Sequence, residues 1–475
     1  MGCRRALPNP TSGMELPFLR ILCRRLSILR IRFIQPGIYW TVLPCGLGSA
    51  DAIEKDMASA GFDLKLQVID HIGKAKSIAE AAMAFTLFEK ELTGCRFVFA
   101  ADIGGQPGFA INKTFSSGAA IRSLFQSERV VVVDHNSIAA RDGGYDYAYD
   151  YSISLDTSAV SVLKPFLDGR KGVPEDIAEV IEFLTSNHAS FDPLPYAFEN
   201  FANLDRGIPT AERMYEKALG YETLASADLD YLKQTGTLRT RLDPDSLARR
   251  AARMISTMYD GNAAPGFVDE MSRLRRAMYA LLLKMAVIQI RDPRRSLKQK
   301  LGAFLSFCDQ DLATMHLREL VIAKEYFERG QGLGFFSRVH KNYNGEKSLF
   351  EVLENMAWDI YHLRHLELTM GISRSSDAKY FFSALLTFDK HLIELLDLCS
   401  LRAIALIGYP PRPIPFPKTD VIPFLDPEDV DKVFSVEAIH SRNLRRSEAN
   451  LSLPRTILVL ENQLAEAACI APRIR

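Results

Sequence analysis

The stretch Tyr151-Ser152-Ile153-Ser154-Leu155-Asp156-Thr157-Ser158-Ala159-Val160-Ser161-Val162-Leu163 decides how this chain is read. Residues 149–155 read as a strand, which delivers Asp156 to its carboxyl end. Two hydroxyl residues follow, and then a helix. Ligand sites in open α/β sheets lie at the carboxyl ends of strands, so this carboxylate points toward such a crevice. The same Asp, Thr or Ser also suits a plain helix N-cap, and the segment alone carries both readings.

The pattern returns near the far end. Phe381-Phe382-Ser383-Ala384-Leu385-Leu386-Thr387-Phe388-Asp389-Lys390 is a buried strand that ends in Thr-x-Asp-Lys and opens another helix. Between the two lie acids in apolar company. Glu199 sits on a predicted helix with Tyr196, Phe198 and Phe201, where an ionised carboxylate needs a partner. Asp359 sits mid-helix beside Trp358, with His362 one turn on and Arg364 close by.

Taken in order, these segments resemble the PIN-domain nucleases. In that family a first strand ends in Asp followed by hydroxyl or amide residues, a Glu comes from a helix, a third acid lies on a late helix, and a Thr-x-Asp opens the last helix–strand unit. Leu155-Asp156-Thr157-Ser158, Glu199, Asp359 and Thr387-Phe388-Asp389 stand at those stations, and the resemblance covers residues 150–408. It implies an α/β fold with a PIN-like three-layer parallel sheet core; the helical signal at residues 205–349 then reads as a large all-helical insertion, and the alternating strand and helix signals of residues 51–149 as an additional N-terminal α/β region. The insertion makes this chain far longer than a compact member of the family and leaves the third acid the least secure; Asp377, in a loop-like setting, is the weaker substitute.

The resemblance further implies a hydrolase, a metal-dependent endoribonuclease, with Asp156, Glu199, Asp359 and Asp389 as catalytic residues and metal ligands. Carboxylates are hard oxygen donors suited to Mg²⁺ or Mn²⁺, which activate water and neutralise a scissile phosphate. Crowded acids repel one another, which raises some of their pKa values and favours a cation. Thr157, Ser158, Thr387, Lys390, Arg364, Arg275 and Arg276 are the expected substrate contacts. RNA is expected over DNA, and the resemblance allows a homodimer. A toxin, a defence effector and a processing enzyme all remain open as roles.

A phosphate-tracking stripe is sought in Arg273, Arg275, Arg276, Lys284, Arg291, Arg294, Arg295, Lys298 and Lys300, with Tyr279 among them. Arg239, Arg241, Arg249, Arg250 and Arg253 are a second candidate. Charge runs are more often solvated helix faces. Two alternatives compete: a hydrolase using Asp359, His362 and His365, and a non-catalytic interaction module on the same fold. Asp134, at the end of the strand Arg129-Val130-Val131-Val132-Val133, is the rival first ligand.

Working further outward, residues 96–101 and 129–133 read as buried strands, residues 119–126 as a short helix, and residues 402–407 as a last strand. Residues 297–327 read as one helix. The proline-dense run from Pro410 to Pro417 reads as an extended linker, and residues 409–475 as linker and tail with little pattern beyond Ser441. Residues 1–50 read as an N-terminal extension: residues 1–36 hold many arginines, no lysine and only one acid, Glu15, and a later start at Met14 or beyond is favoured. Lys+Arg and Asp+Glu are both 58, which argues against coating nucleic acid by bulk charge. The seven cysteines never form a CxxC pair, so a reducing cytoplasm is expected and a disulfide framework is not. No stretch of membrane-spanning length lacks charges, so no membrane span is expected.

Overall fold

The computed structural model describes residues 60–473 apart from 103–105, 108–111, 128, 141–148, 187–189, 202, 204–206, 236, 264–266, 342–347, 372–377, 409–410 and 472. The expectations for residues 1–50 lie outside the described residues, as does Asp377.

Two five-stranded sheets organise the molecule. The strands are β1 (Cys95–Ala101), β2 (Gln106–Pro107), β3 (Lys113–Thr114), β4 (Ala120–Ser123), β5 (Arg129–Val133), β6 (Tyr149–Leu155), β7 (Phe191–Asp192), β8 (Tyr380–Thr387), β9 (Leu401–Ile407) and β10 (Arg412–Pro417). The site-bearing sheet runs β3-β4-β8-β6-β7. Within it β6 is parallel to both β8 and β7, and β4 joins antiparallel. It is therefore mixed, where a parallel sheet was expected. Every residue of β8 is buried, as in a strand covered on both faces.

The second sheet, β10-β9-β1-β5-β2, is antiparallel throughout. The last predicted strand exists as β9 but belongs here, between β10 and β1. Alternate prolines at Pro413, Pro415 and Pro417 suit β10, because an edge strand has one row of N–H groups that needs no ladder partner.

The helices that carry the argument are α1 (Thr157–Leu167), α2 (Leu194–Asn200), α3 (Phe267–Arg291), α4 (Leu317–Arg329), α5 (Gly334–Lys341), α6 (Leu349–Met370), α7 (Lys390–Leu398) and α8 (Val436–Ala468). The largest core joins α3, α4 and α6 to β8, β9 and the inner face of α8.

Three local expectations change. Residues 119–126 hold strand β4, because a short apolar run is ambiguous and pairing with β8 settles it. The helix expected over 297–327 breaks between Gln310 and Leu317, where Ala313 takes a left-handed φ of 46°. The tail is a 33-residue helix: Arg442, Arg446, Leu453, Ile457, Leu460 and Leu464 recur at helical spacing and are buried. Among the described residues no helix is long and apolar enough to cross a membrane.

Candidate active site: four acids, an arginine and a histidine

Register places the site. Leu155 of β6 pairs with Leu386 of β8, so Asp156 and Thr387 leave neighbouring strands side by side. Asp156 is 4% exposed and caps α1. Its Oδ1 accepts the Ala159 N–H and the Ser158 hydroxyl, both at 2.7 Å, and its Oδ2 accepts the Thr387 hydroxyl at 2.6 Å. Thr387 Oγ1 also accepts the Asp389 N–H at 3.0 Å, so one hydroxyl links the two strand-end acids. Asp389 in turn caps α7, its Oδ1 accepting the His391 N–H at 2.8 Å. Cap and cluster member are the same residue in both cases.

Glu199 ends near the same place on α2. Its Oε2 accepts the Thr157 hydroxyl at 2.6 Å, and its Oε1 lies 2.5 Å from His362 Nε2. Asp359, one turn before His362 on α6, meets Arg338 of α5. The same Arg338 nitrogen stands 3.4 Å from Asp359 Oδ2 and 3.5 Å from Asp389 Oδ2. The sequence reading missed Arg338: it follows a glycine-rich stretch read as loop, and nothing local marks it. Glu394 of α7 positions it by accepting the N–H groups of Gly334 and Phe335, the first residues of α5, at 3.3 and 2.8 Å.

The electrostatics follow from burial among like charges. Desolvation pushes the Asp359 carboxyl up to about 8; Arg338 and His362 pull it down, while Asp389 and Glu199 add to the rise. Desolvation also pushes Asp156 up to about 6, although Thr387, the Ala159 amide and Ser158 all favour its ionised form. Burial alone would depress His362, but its bond to Glu199 and the negative charge of Glu199, Asp156 and Asp359 hold its pKa above the usual range. All four acids therefore sense one another or a shared partner.

Among the described residues, no three His, Cys, Asp or Glu side chains are placed to hold one ion together. Carboxylates are the donor type that hard divalent cations take, and Asp359 and Asp389 both face one positive group, the Arg338 guanidinium. Arg338 is the guanidinium beside Asp359 and Asp389, and the His362 imidazole faces Glu199.

Of the expected substrate contacts, Thr157, Ser158 and Thr387 are spent holding the carboxylates, and Lys390 lies exposed beside Asp389. Arg275 stacks over Trp358, next to Asp359, at 5.4 Å. Arg276 bonds back to Ser272 O at 3.3 Å on its own helix. Arg364 is a correction: it is 1% exposed and locked to Glu319 and Glu367, themselves buried, so it reaches no substrate. The basic stripe is broken up. Lys300 is buried and bonded to Gln289 and the Pro293 carbonyl, Lys284 lies over Phe307, and Arg273 bonds Asn450. In the second basic group, Arg239 and Arg241 pair with Asp228, and Arg250 with Glu222. His365 packs edge-on against Phe198 at 5.0 Å. Asp134 caps a different helix, His135–Ala139, and is held by Tyr380 and Lys379, away from the four acids' hydrogen bonds.

No family model, curated protein or solved structure matches the chain.

Proposed function

We propose that the chain is a metal-dependent nuclease with a PIN-like core, acting on RNA in preference to DNA. One observation carries this reading: acids from the ends of two adjacent parallel strands, Asp156 and Asp389, are joined through Thr387, and Asp389 shares a cation with Asp359. Metal-assisted phosphodiester hydrolysis uses clustered carboxylates, and ligand sites in open α/β sheets lie at strand ends.

Asp359 and Asp389 would hold the ion, with Asp156 and Glu199 flanking it. When bound, Mg²⁺ or Mn²⁺ supplies Lewis-acid charge and an activated water. The chain's own residues supply the rest. Thr387, Ser158 and Thr157 fix the carboxylate oxygens. His362 holds a proton against Glu199. Lys390 offers an exposed ammonium beside Asp389 for a phosphate. Arg338 favours a second reading, a non-catalytic interaction module, because it already neutralises the pair that would take the ion.

Asp156→Asn and Asp389→Asn separate the two. Labelled RNA and DNA are incubated with Mg²⁺ or Mn²⁺, and folding is checked by circular dichroism. A loss of cleavage of roughly a hundredfold or more with the fold intact supports the nuclease. Cleavage that both variants retain in full removes it, and a wild-type chain that cleaves neither substrate favours the module.

A further inference from the structure

The inner face of α8 is core, yet its outer face is not polar throughout. Of the ten large hydrophobic side chains exposed among the described residues, four lie on it: Leu444 at 65%, Leu451 at 84%, Leu458 at 44% and Val459 at 47%. The three leucines are seven residues apart. At 3.6 residues per turn they drift only about 20° per heptad, so they form a single stripe opposite the buried residues. Glu448 and Arg455, both exposed, lie on the same stripe between them.

The order of these residues is self-complementary. A two-fold axis near Leu451 that sets two α8 helices antiparallel brings Leu451 against its own copy. It also brings Leu444 against Leu458 and Val459, and Glu448 against Arg455. Isologous contacts require this mirror arrangement: each patch must serve as its own partner. Ser441 then faces Asn462, and beyond them Glu437 would face Glu466, a repulsion that confines the seam to residues 441–462. The stripe has one apolar position per heptad, and the opposite charges beside it set which partner and which orientation the helix accepts.

We propose that this face of α8 is a docking surface for a second copy of the chain, forming an antiparallel two-fold helix pair centred on Leu451. A seam of that length, about 33 Å, buries on the order of 1,200 Å², the lower edge of specific interfaces. An interface at that lower edge is expected to form a weak, concentration-dependent dimer. This inference stands apart from the nuclease reading, since it uses no residue of the acidic site.

Sedimentation velocity of the full chain at roughly 1–100 µM tests it. Dimer is expected to appear within that range. Leu451→Asp should give monomer throughout that range, and below about 1 µM, where the wild type is monomeric too, the two melting temperatures should differ by no more than the small helix-propensity cost of aspartate, because the side chain lies outside the fold. Glu448→Arg and Arg455→Glu should each weaken the dimer by about tenfold or more through like charges facing each other, and the double variant should recover it. Four outcomes overturn the proposal: a chain monomeric at the highest concentration; a dimer indifferent to Leu451→Asp; a double variant no tighter than either single one; or, below about 1 µM where both proteins are monomeric, a melting temperature that Leu451→Asp lowers by more than the helix-propensity cost, which would mean that the face is covered from within the same chain.

Discussion

Asp359 keeps its proton to about pH 8, while the same carboxyl in an unfolded chain ionises near 3.8. Between those two values the folded chain binds the extra proton, so stability falls as pH rises and the loss is complete once pH passes the folded value. Asp156 adds a smaller contribution of the same sign up to about pH 6. Asp359→Asn cannot ionise. Melting curves recorded between about pH 6 and 9 should therefore show the wild type losing stability relative to this variant as pH rises. Parallel curves for the two proteins would mean that Asp359 is not held in its neutral form. The same residue shows what a sequence can reveal. An acid among Trp358, Ile360 and Tyr361 announces a charge needing company, but the company is Arg338, on a short helix whose place depends on Glu394. That relation is tertiary and leaves no local mark.

At the level of elements, the site depends on two strand ends being tied together beyond their backbone ladder. Thr387 donates to Asp156 and accepts from Asp389; Ser158 donates to Asp156 and accepts the Phe388 N–H at 2.9 Å. Thr387→Val keeps the shape and removes both bonds. It should cost about 1–3 kcal/mol in urea unfolding, because a buried carboxylate loses a donor, while Thr387→Ser should cost less. Equal effects of the two substitutions would argue that methyl packing, not the hydroxyl, holds the strand ends. The strands β1, β5, β6 and β8 were legible because each is a bounded apolar run ending in a polar signal. The short β4 was not, since Ala120, Ile121, Arg122 and Ser123 satisfy either period and only the pairing with β8 decides. The 33 residues of α8 were hidden differently. Their inner face carries Arg442, Arg446 and Glu461, which read as solvent-facing until partners such as Asp309 and Tyr279 are seen to satisfy them.

For the whole molecule, α8 completes the core. Its buried leucines pack into the cluster that contains α3, α6, β8 and β9, and Glu461 accepts the buried hydroxyl of Tyr279 at 3.0 Å. A chain ending at residue 435 would leave α3 with an apolar face open to water. It should lose cooperative thermal unfolding and bind a hydrophobic dye, whereas a sharp transition at the wild-type temperature would show that α8 is dispensable. The α/β character was readable from the alternation of runs along the chain, but the assignment of strands to sheets was not. β9 directly follows the site-bearing unit in sequence and yet pairs with β1, Phe97 against Ala405. That pairing has a temporal consequence. During synthesis the edge of β1 that β9 will occupy stays bare until some three hundred further residues have emerged, and Asp389 reaches Asp156 at nearly the same late moment. The growing chain thus carries that strand edge unpaired across the whole span between β1 and β9, and the acids can meet only after residue 389 has been made.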